Sequence, residues 1–420
     1  MARYHIETYG CTANRGESAA IERALRDGGH APAAGPAEAD VAILNTCTVV
    51  EKTERNMLRR AKELESETSE LVVTGCMALA QGDQFREEGV DARVVHWDDV
   101  PTAVRNGECP TPADTGAGGT GPVLDGVVGI LPIARGCMSD CSYCITKRAT
   151  GRIESPSIEE NVEKARALVH AGAREIRVTG QDTGVYGWDT GERTLHVLLD
   201  RICDVDGEFR VRVGMANPKG VHGIREELAD VFARNEKLYA FLHAPVQSGS
   251  DEVLGAMRRQ HGTREFREVV AAFDERLDEW TLATDFVVGF PTETDADFEA
   301  SMDLLREVRP EKINVTRFSK RPGTDAAEMK GLGGTVKKER SKAMSELKMR
   351  VVGEAYDGMV GTEREMLVVE PGTGDSVQGY DRAYRKLVVR DASERGVAVG
   401  DRLDVEVTGH NTVYAFAEPV

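Results

Sequence analysis

The sequence contains no long apolar run and few aromatic residues. Of its 420 residues, 5% are aromatic and 40% are apolar. Its apolar stretches are only a few residues long, whereas a helix that spans a membrane needs about 20 apolar residues. The first residues, MARYHIETYGC, lack the basic and apolar regions of a signal peptide. We therefore expect a cytoplasmic protein with no membrane partner. We also expect a monomer.

Lysine is also scarce. Only 14 of the 53 basic residues are lysine, 39 are arginine, and the net charge is −18. Such a charge argues against a nucleic-acid partner. The composition, however, indicates a halophilic protein, adapted to a very salty cytoplasm. At roughly 1 M salt the Debye length falls to about 3 Å, so contacts at close range would decide binding. The net charge therefore does not exclude RNA.

Eight cysteines are present, and nothing indicates export. Disulfides are rare in proteins that are not exported, so metal or redox chemistry is the better expectation. Six of the cysteines lie in motifs described below. Cys109 and Cys203 lie outside every motif, and we expect that neither is a ligand.

Residues 1–106 repeat one pattern three times. A short apolar run is followed by a small or polar residue and then a cysteine, at Cys11, Cys47 and Cys76 (the sheet trio). Helical stretches lie between the runs, at 18–27 and 53–65, so the pattern predicts a parallel, Rossmann-like sheet. Because sites form beyond the carboxyl ends of parallel strands, we expect the sheet trio to converge on one edge.

Residues 107–122 are rich in Gly, Pro and Thr, which predicts a linker. Residues 123–350 then alternate strand and helix about six times, which predicts a partial (β/α)6 TIM-like barrel. The predicted strands are 127–133, 175–179, 209–213, 238–243, 282–288 and 312–318. Residues 356–420 change to short alternating runs, at 364–369, 385–390 and 403–408, which predict a small, OB-like all-β barrel. The fold class is therefore α/β multidomain.

The motif CxxxCxxC at Cys137, Cys141 and Cys144 (the loop trio) directly follows the first barrel strand. Three thiolates on one loop can bind three irons of a 4Fe–4S cluster and leave the fourth iron open. The alternative is a structural zinc site, which normally has four protein ligands, and no fourth ligand is evident nearby. With an aromatic residue, Tyr143, before the last cysteine, the motif resembles the radical S-adenosylmethionine (SAM) superfamily. The resemblance implies that SAM binds the open iron and that Tyr143 approaches its adenine.

The words around the sheet trio, TYGCTAN, LNTCTV and VTGCMA, resemble the N-terminal domain of the methylthiotransferases. Singly, each of these cysteines could be a small buried hydrophobic residue. The family likeness covers essentially the whole chain and implies a cluster domain, a radical SAM barrel and a C-terminal TRAM domain. It therefore implies two 4Fe–4S clusters, one on each trio, with SAM as both radical source and methyl donor.

Loops after the barrel strands carry further family words. By resemblance, we expect them to contact SAM, although each could be an ordinary turn. Besides Tyr143, the predicted cofactor-binding residues are Gly180, Gln181, Asp182, Asn217, Gln247, Ser248, Asp285 and Gly289. No catalytic residue is predicted beyond the cluster ligands.

The all-β segment contains a basic stretch with two interleaved tyrosines. Its basic residues are Arg382, Arg385, Lys386 and Arg390. Such a surface can contact phosphates and stack on bases. The alternative is a solvated hairpin, but the similarity to TRAM domains favours RNA.

The resemblance implies a reaction in which an electron on the loop-trio cluster cleaves SAM. The radical so formed abstracts hydrogen from a base, and the other cluster delivers sulfur. The QDT word at 181–183 and the GC-D-CSYC context look most like the archaeal and eukaryotic branch, which acts on threonylcarbamoyladenosine at position 37 of tRNA. The alternatives are isopentenyladenosine in tRNA, a ribosomal-protein aspartate, or a non-catalytic, zinc-containing RNA-binding protein. An electron donor such as ferredoxin or flavodoxin is expected.

Overall fold

The computed structural model describes residues 1–48, 51–106, 122 and 124–420. Nearly all of the predicted linker, with Cys109, lies outside the described residues. The chain forms two compact units. The first comprises Met1–Asp125, Cys144–Arg152 and Arg321–Thr324, and the second comprises Gly126–Tyr143, Ile153–Lys320 and Asp325–Val420.

The first unit contains a five-stranded parallel sheet with helices around it. Its strands are β1 (Arg3–Thr8), β2 (Ala31–Pro32), β3 (Val41–Thr46), β4 (Glu70–Thr74) and β5 (Arg93–Val94), and a short β6 (Leu124–Asp125) follows. Its helices are α1 (Thr12–Asp27), α2 (Glu51–Glu67), α3 (Gly75–Gln81), α4 (Asp83–Glu87), α5 (Val100–Asn106) and α6 (Thr146–Thr150). The strand order β2-β1-β3-β4-β5 confirms the predicted Rossmann-like sheet.

The central strand β3 is covered on both faces of the sheet. All six of its residues are buried, as is typical of a strand with helices on either side. Alternate residues enter two separate apolar clusters. Ala42 and Leu44 pack with α2 and α3, whereas Val41 and Ile43 pack with α1 and α5.

The second unit begins with six parallel strands that alternate with helices. The strands are β7 (Val128–Pro132), β8 (Glu175–Thr179), β9 (Arg210–Val213), β10 (Phe241–His243), β11 (Thr281–Val288) and β12 (Lys312–Arg317). The helices are α7 (Ile158–His170), α8 (Leu195–Cys203), α9 (Pro218–His222), α10 (Arg225–Arg234), α11 (Asp251–Ala256), α12 (Thr263–Asp274), α13 (Asp295–Val308), α14 (Asp325–Glu328) and α15 (Gly334–Asp357).

These strands form the predicted partial barrel. Strands β7, β8 and β9 are parallel neighbours, as are β10, β11 and β12. A parallel bridge between Val211 and Leu238 joins the two groups. Helix α7 begins at a capping box, where the Ser157 hydroxyl accepts the Glu160 N–H and the Glu160 carboxylate accepts the Ser157 N–H.

The second unit ends in a closed five-stranded barrel (the C-terminal barrel). Its strands are β13 (Glu363–Pro371), β14 (Ser376–Tyr380), β15 (Lys386–Arg390), β16 (Arg402–His410) and β17 (Ala415–Pro419), and α16 (Ala392–Arg395) follows β15. The strand order around the barrel is β13-β14-β15-β17-β16. Alternate residues such as Val368, Leu387 and Val405 fill its interior. The predicted all-β segment is thus confirmed.

None of the described helices combines the length and the apolar content that a membrane crossing requires.

Candidate functional site

The sheet trio lies at the carboxyl edge of three neighbouring parallel strands. Strands β1, β3 and β4 are adjacent, with Thr8 opposite Asn45 and Asn45 opposite Thr74. Each cysteine follows its strand within three residues. The structure therefore brings together three cysteines that are separated by 36 and 29 positions in the sequence.

Glycines before two of these cysteines allow the close approach. Gly10 has φ +130°, and a Cβ there would lie 2.4 Å from Asn14 Oδ1 and 3.2 Å from Cys47 Cβ. Gly75 has φ +85°, and its Cβ would lie 2.3 Å from Asn45 Oδ1. Both positions combine left-handed backbone with no room for a side chain, so glycine is required at each.

Two buried asparagines hold the edge of the sheet together beside the cysteines. Asn14 Nδ2 donates to Asn45 Oδ1 at 2.9 Å, and Asn14 Oδ1 accepts the Cys11 N–H at 3.3 Å. Asn45 Nδ2 donates to the Asn14 carbonyl and to Ser18 Oγ, both at 3.0 Å. The thiol of Cys11 also lies 3.4 Å from Asn14 Oδ1. The network ties α1 to β3 where the sheet trio converges.

Cys76 lies within electrostatic range of the other two thiols of the sheet trio. Burial raises the pKa of Cys76 to about 12, with smaller contributions from the neighbouring Glu17, Cys11 and Cys47. A thiolate here is therefore unfavourable unless a cation balances its charge. Iron would supply that balance, because thiolates bind it as anions.

The loop trio begins directly after β7. Gly136 has φ +76° and turns the chain into the loop. Cys137 Sγ accepts the Ser139 N–H at 3.3 Å, and Cys141 Sγ accepts from Arg259 Nη1 at 3.7 Å. Burial raises the pKa of Cys137, as do Asp182 and Cys141 nearby. The third cysteine, Cys144, is exposed.

The middle of this loop is anchored to the second unit. The Ser142 N–H donates to the Met257 carbonyl at 3.0 Å, and the Ser142 carbonyl accepts the Ala326 N–H at 2.9 Å. Tyr143 packs edge-on against Phe290, with ring centroids 6.4 Å apart. These contacts fix the loop just after Cys141.

Within the first unit, the segment after Cys144 packs beside the sheet trio. Helix α6 begins two residues after Cys144 and packs against α3, which carries Cys76. Arg148 of α6 donates to the Gly323 carbonyl. The first unit therefore contains both the sheet trio and the end of the loop-trio motif.

The predicted cofactor residues after β8 and β9 form one connected loop pair. Asp182 is 2% exposed, and its Oδ1 accepts the N–H groups of Gly184 and Asn217 at 3.1 and 2.9 Å. Asn217 Oδ1 in turn accepts the Lys219 N–H at 3.3 Å and caps α9. These contacts give Asp182 a role in shaping the loops. Gly180 and Gln181 lie at the end of β8 in the same loop, and SAM contact stays a prediction for all four predicted residues.

The other predicted cofactor residues follow β10 or lie along and after β11. Gln247 has φ +76°, a strained backbone conformation of the kind that is common at functional sites. Its N–H donates to the Asp285 carbonyl at 2.9 Å. Ser248 is buried and its hydroxyl lies 3.3 Å from that of Ser301, and the Gly289 N–H donates to the Glu293 carboxylate. SAM contact stays a prediction for these residues too.

Asp285 belongs to a polar group inside the partial barrel. Its Oδ2 lies 2.8 Å from His243 Nε2, and its Oδ1 accepts from Asn314 Nδ2 at 2.7 Å. Burial alone would raise the pKa of Asp285, but the hydrogen bonds from His243 and Asn314 outweigh it and lower the pKa. Asp285 is therefore ionised at neutral pH.

Both trios have donor sets that fit a 4Fe–4S cluster with one open iron. Among the described residues, no three His, Cys, Asp or Glu side chains are grouped around a point where a single metal ion could bind. A cluster does not need such a group, because each thiolate binds a different iron.

The predicted RNA-binding residues divide into two pairs. Arg385 is 8% exposed and pairs with Glu311 and Glu279, and Arg382 Nη2 lies 3.4 Å from the carbonyls of Phe232 and Asn235. Both guanidinium groups thus face the partial barrel, and the structure gives them a role in joining the two barrels. The prediction that they contact RNA is corrected accordingly, because both side chains are already engaged within the chain.

Lys386 and Arg390 instead line a groove of about 470 Å³ on the C-terminal barrel (the barrel groove). The Arg390 guanidinium lies 4.1 Å from the ring centroid of Phe416. The groove is also lined by Gly372, Thr373, Asp375, Ser376, Gln378, Val388, Asp391 and Tyr414. Cations beside aromatic rings can contact phosphates and stack on bases.

Sequence reasoning missed two sets of residues at these sites. Asn14 and Asn45 lie inside the family words TYGCTAN and LNTCTV, which was a usable signal. His243 likewise begins one of the family words after the barrel strands, although its contact to Asp285 joins positions 42 residues apart. Arg259 gave no such signal, because its contact to Cys141 joins positions 118 residues apart.

Comparison with known proteins agrees with this architecture. Residues 131–305 match the family described as the radical SAM superfamily, and residues 3–96 match the uncharacterized protein family UPF0004. In fold, the chain resembles the radical SAM methyltransferase TsrM from Kitasatospora setae, solved with cobalamin and a 4Fe–4S cluster, with a TM-score of 0.57, 14% identity and coverage of 77% of this chain and 76% of that one.

Curated relatives extend over nearly the full length. The chain is 36% identical over 417 residues to a probable threonylcarbamoyladenosine tRNA methylthiotransferase of Archaeoglobus fulgidus, covering 96% of each chain. It is 33% identical over 432 residues to the human threonylcarbamoyladenosine tRNA methylthiotransferase, covering 99% of this chain and 73% of the human one. The chain therefore belongs to the radical SAM methylthiotransferases, in the family of the threonylcarbamoyladenosine tRNA methylthiotransferases.

Proposed function

We propose that this protein converts N6-threonylcarbamoyladenosine, beside the anticodon of tRNA, to its 2-methylthio derivative. The full-length similarity to archaeal and eukaryotic relatives of that name supports the substrate. The proposal includes two 4Fe–4S clusters, one on the sheet trio and one on the loop trio, with SAM at the open iron of the second.

The observation that carries the proposal is the convergence of the sheet trio. Three cysteines follow three adjacent parallel strands at one edge, where glycine at positions 10 and 75 removes the side chains that would block the approach. A radical SAM barrel alone needs only the loop trio. A second set of three thiols supports a second cluster, which would supply the sulfur of a methylthio group.

When bound, the clusters would supply the electron that cleaves SAM and the sulfur that replaces hydrogen at carbon 2 of the adenine. The residues of this chain hold the reacting parts in place. Ser142 and Tyr143 fix the loop that carries Cys141, and Asn14 and Asn45 fix the sheet edge. Exchanging hydrogen for sulfur by a radical route requires no acid–base partner at either trio.

The barrel groove supports binding of the tRNA outside the reacting centre. Lys386 and Arg390 provide positive charge, and Tyr414 and Phe416 provide ring faces. We assign phosphate contact to these two basic residues, and the TRAM role to the C-terminal barrel. A one-electron donor of the ferredoxin or flavodoxin class completes the proposed partners.

The test is mass spectrometry of nucleosides from tRNA of a strain that lacks this gene and of the same strain with the gene restored. We expect the methylthio derivative of threonylcarbamoyladenosine to vanish on deletion and to return on restoration. A restored copy with Cys144→Ala is the matched control and should not restore it.

Unchanged methylthio-threonylcarbamoyladenosine in the deletion strain would refute the substrate. Loss of methylthio-isopentenyladenosine, or of methylthio-aspartate in a ribosomal protein, would point to the other substrates of the family. Mass spectra of the same tRNA and ribosomal-protein preparations distinguish these results.

A further inference from the structure

Arg259 lies against a predicted cluster ligand, although it is remote from the cluster motif in the sequence. Its Nη1 donates to Cys141 Sγ at 3.7 Å, and its Nη2 donates to the Pro245 carbonyl at 2.9 Å. Its Nε is enclosed and has no hydrogen-bond partner among the described residues. The guanidinium group is therefore held beside the thiol by a fixed backbone carbonyl.

The end of helix α11 explains why this arginine turns inward. Arg258 has φ +56°, in the left-handed region, and the Arg259 N–H closes the helix on the Leu254 carbonyl at 2.9 Å. The turn separates two adjacent arginines. The Arg258 side chain is 50% exposed and pairs with Asp140 and Asp325, whereas Arg259 points to Cys141.

The charges around Arg259 leave its contact with Cys141 intact. The carboxylates of Asp182 and Asp285 both lie within electrostatic range of its guanidinium group. Asp182 uses one oxygen on backbone N–H groups, and Asp285 is bound by His243 and Asn314. The two terminal nitrogens of Arg259 are therefore directed at the thiol and at the Pro245 carbonyl.

A cation that donates to a ligand thiolate favours the reduced form of a cluster. Reduction adds one electron, which increases the negative charge on the sulfurs and strengthens the hydrogen bond from the guanidinium group. The oxidised cluster gains less from the same contact. The contact therefore raises the reduction potential of the cluster.

We propose that Arg259 is a positioning residue that holds the Cys141 thiolate and makes the loop-trio cluster easier to reduce. The inference rests on the proposed function, because it requires a cluster on Cys137, Cys141 and Cys144. In the step concerned, one electron passes from a one-electron donor to the cluster, and no bond forms or breaks. Arg259 thereby sets how readily the cluster accepts the electron that SAM cleavage consumes.

The test is a redox titration of the full-length, reconstituted protein with dithionite and mediators, followed by electron paramagnetic resonance without SAM. The variants are Arg259→Gln, which removes the charge, and Arg259→Lys, which keeps it. Arg258→Gln is the matched control, because it removes an adjacent guanidinium group that pairs with carboxylates. The background carries Cys11→Ala, Cys47→Ala and Cys76→Ala so that one cluster gives the signal.

For Arg259→Gln we expect the equilibrium constant for reduction to fall at least about tenfold, which is ~59 mV for a one-electron couple. The equilibrium constant of Arg259→Lys should lie between those of Arg259→Gln and the parent, and that of Arg258→Gln should match the parent. If the background with the three cysteine replacements does not fold, the titration is repeated in the chain that keeps all its cysteines. The loop-trio cluster is then identified as the one whose electron paramagnetic resonance signal changes when SAM is added.

An unchanged potential in Arg259→Gln, with its iron content retained, would overturn the inference. An equal fall in Arg258→Gln would also overturn it, because the effect would then be general to the helix end. So would an unchanged potential combined with weaker SAM binding, which would place the guanidinium group on SAM instead. A failure of the proposed function itself is distinguishable, because the Cys141→Ala protein would then keep all its iron.

Discussion

Arg385 and Glu311 form a two-point ion pair, with Nε 2.6 Å from Oε2 and Nη2 2.7 Å from Oε1. Arg385 directly precedes β15 of the C-terminal barrel, and Glu311 directly precedes β12 of the partial barrel. Only 10% and 18% of these side chains are exposed. The pair therefore joins the two barrels of the second unit and is shielded from solvent.

We expect Arg385→Ala to lower the free energy of unfolding by about 3 kcal/mol, because removing one partner leaves the Glu311 carboxylate enclosed without its cation. Urea unfolding followed by circular dichroism measures the change. The neighbouring Lys386→Ala is the control and should change the free energy by less than about 0.5 kcal/mol, since it lies on the groove surface. Equal losses in the two variants would contradict the assignment.

Lys386 and Arg390, unlike Arg385, are expected to contribute to tRNA binding. Removing one phosphate-binding side chain should reduce the slope of log affinity against log salt by about 1. We expect this for Lys386→Ala and for Arg390→Ala in filter binding with threonylcarbamoyladenosine-containing tRNA. Arg395→Ala, on α16 and outside the groove, is the control and should leave the slope unchanged. A slope that responds equally to all three variants would count against the groove.

Separate roles for the two trios lead to a test with two cysteine variants. Cys47→Ala should leave SAM cleavage intact and abolish methylthiolation, because it removes a ligand of the sulfur-supplying cluster only. Cys203→Ala is the control, since Cys203 is buried in α8 and outside both trios, and it should retain both activities. Deoxyadenosine and modified nucleoside are measured in the same reaction. Loss of SAM cleavage in Cys47→Ala would refute the separation.

Lys312 gives the second unit a pH dependence with a definite sign. Its side chain lies 4.3 Å from the Tyr384 ring centroid and donates to the Tyr384 carbonyl. Burial lowers its pKa from 10.5 to about 7, with a smaller contribution from the nearby Arg212 and against the pull of Asp381, Glu311 and Glu175.

Between pH 7 and 10.5 the unfolded chain therefore binds a proton at Lys312 that the folded chain has released. Stability must then rise with pH across this window, by up to about 1.4 kcal/mol per pH unit from this residue. Lys312→Met should be more stable than the parent at neutral pH, and the difference should shrink as the pH approaches the ordinary pKa of lysine. Urea unfolding at several pH values tests this, and a difference that grows with pH would contradict it.

The sequence predicted the partial barrel closely, because each strand is an apolar run between helical segments. Strand β8 has the predicted bounds of 175–179, and β9 and β12 differ by one residue at one end. The strand predicted at 238–243 is shorter, because Leu238 forms only a bridge before β10 begins at Phe241. In the first unit, α1 begins at Thr12 and not at Ser18, because Asn14 accepts the Cys11 N–H and starts the helix at the cysteine.

What the sequence could not predict depends on contacts between distant positions. Arg382 and Arg385 look like a solvated basic surface in the sequence, yet Arg385 pairs with Glu311, which lies 74 positions away. Closure of the C-terminal barrel depends on β17 pairing with both β15 and β16. Local alternation predicts strands but not such pairing. The sheet trio, in contrast, was predictable because each cysteine follows its own strand.

The central claim is that two three-cysteine sites each hold a 4Fe–4S cluster, and iron content tests it most directly. After anaerobic reconstitution, the full-length protein should contain about eight irons per chain. Replacement of either trio by alanine should leave about four. About four irons in the unaltered protein, or full iron content after either replacement, would contradict the account.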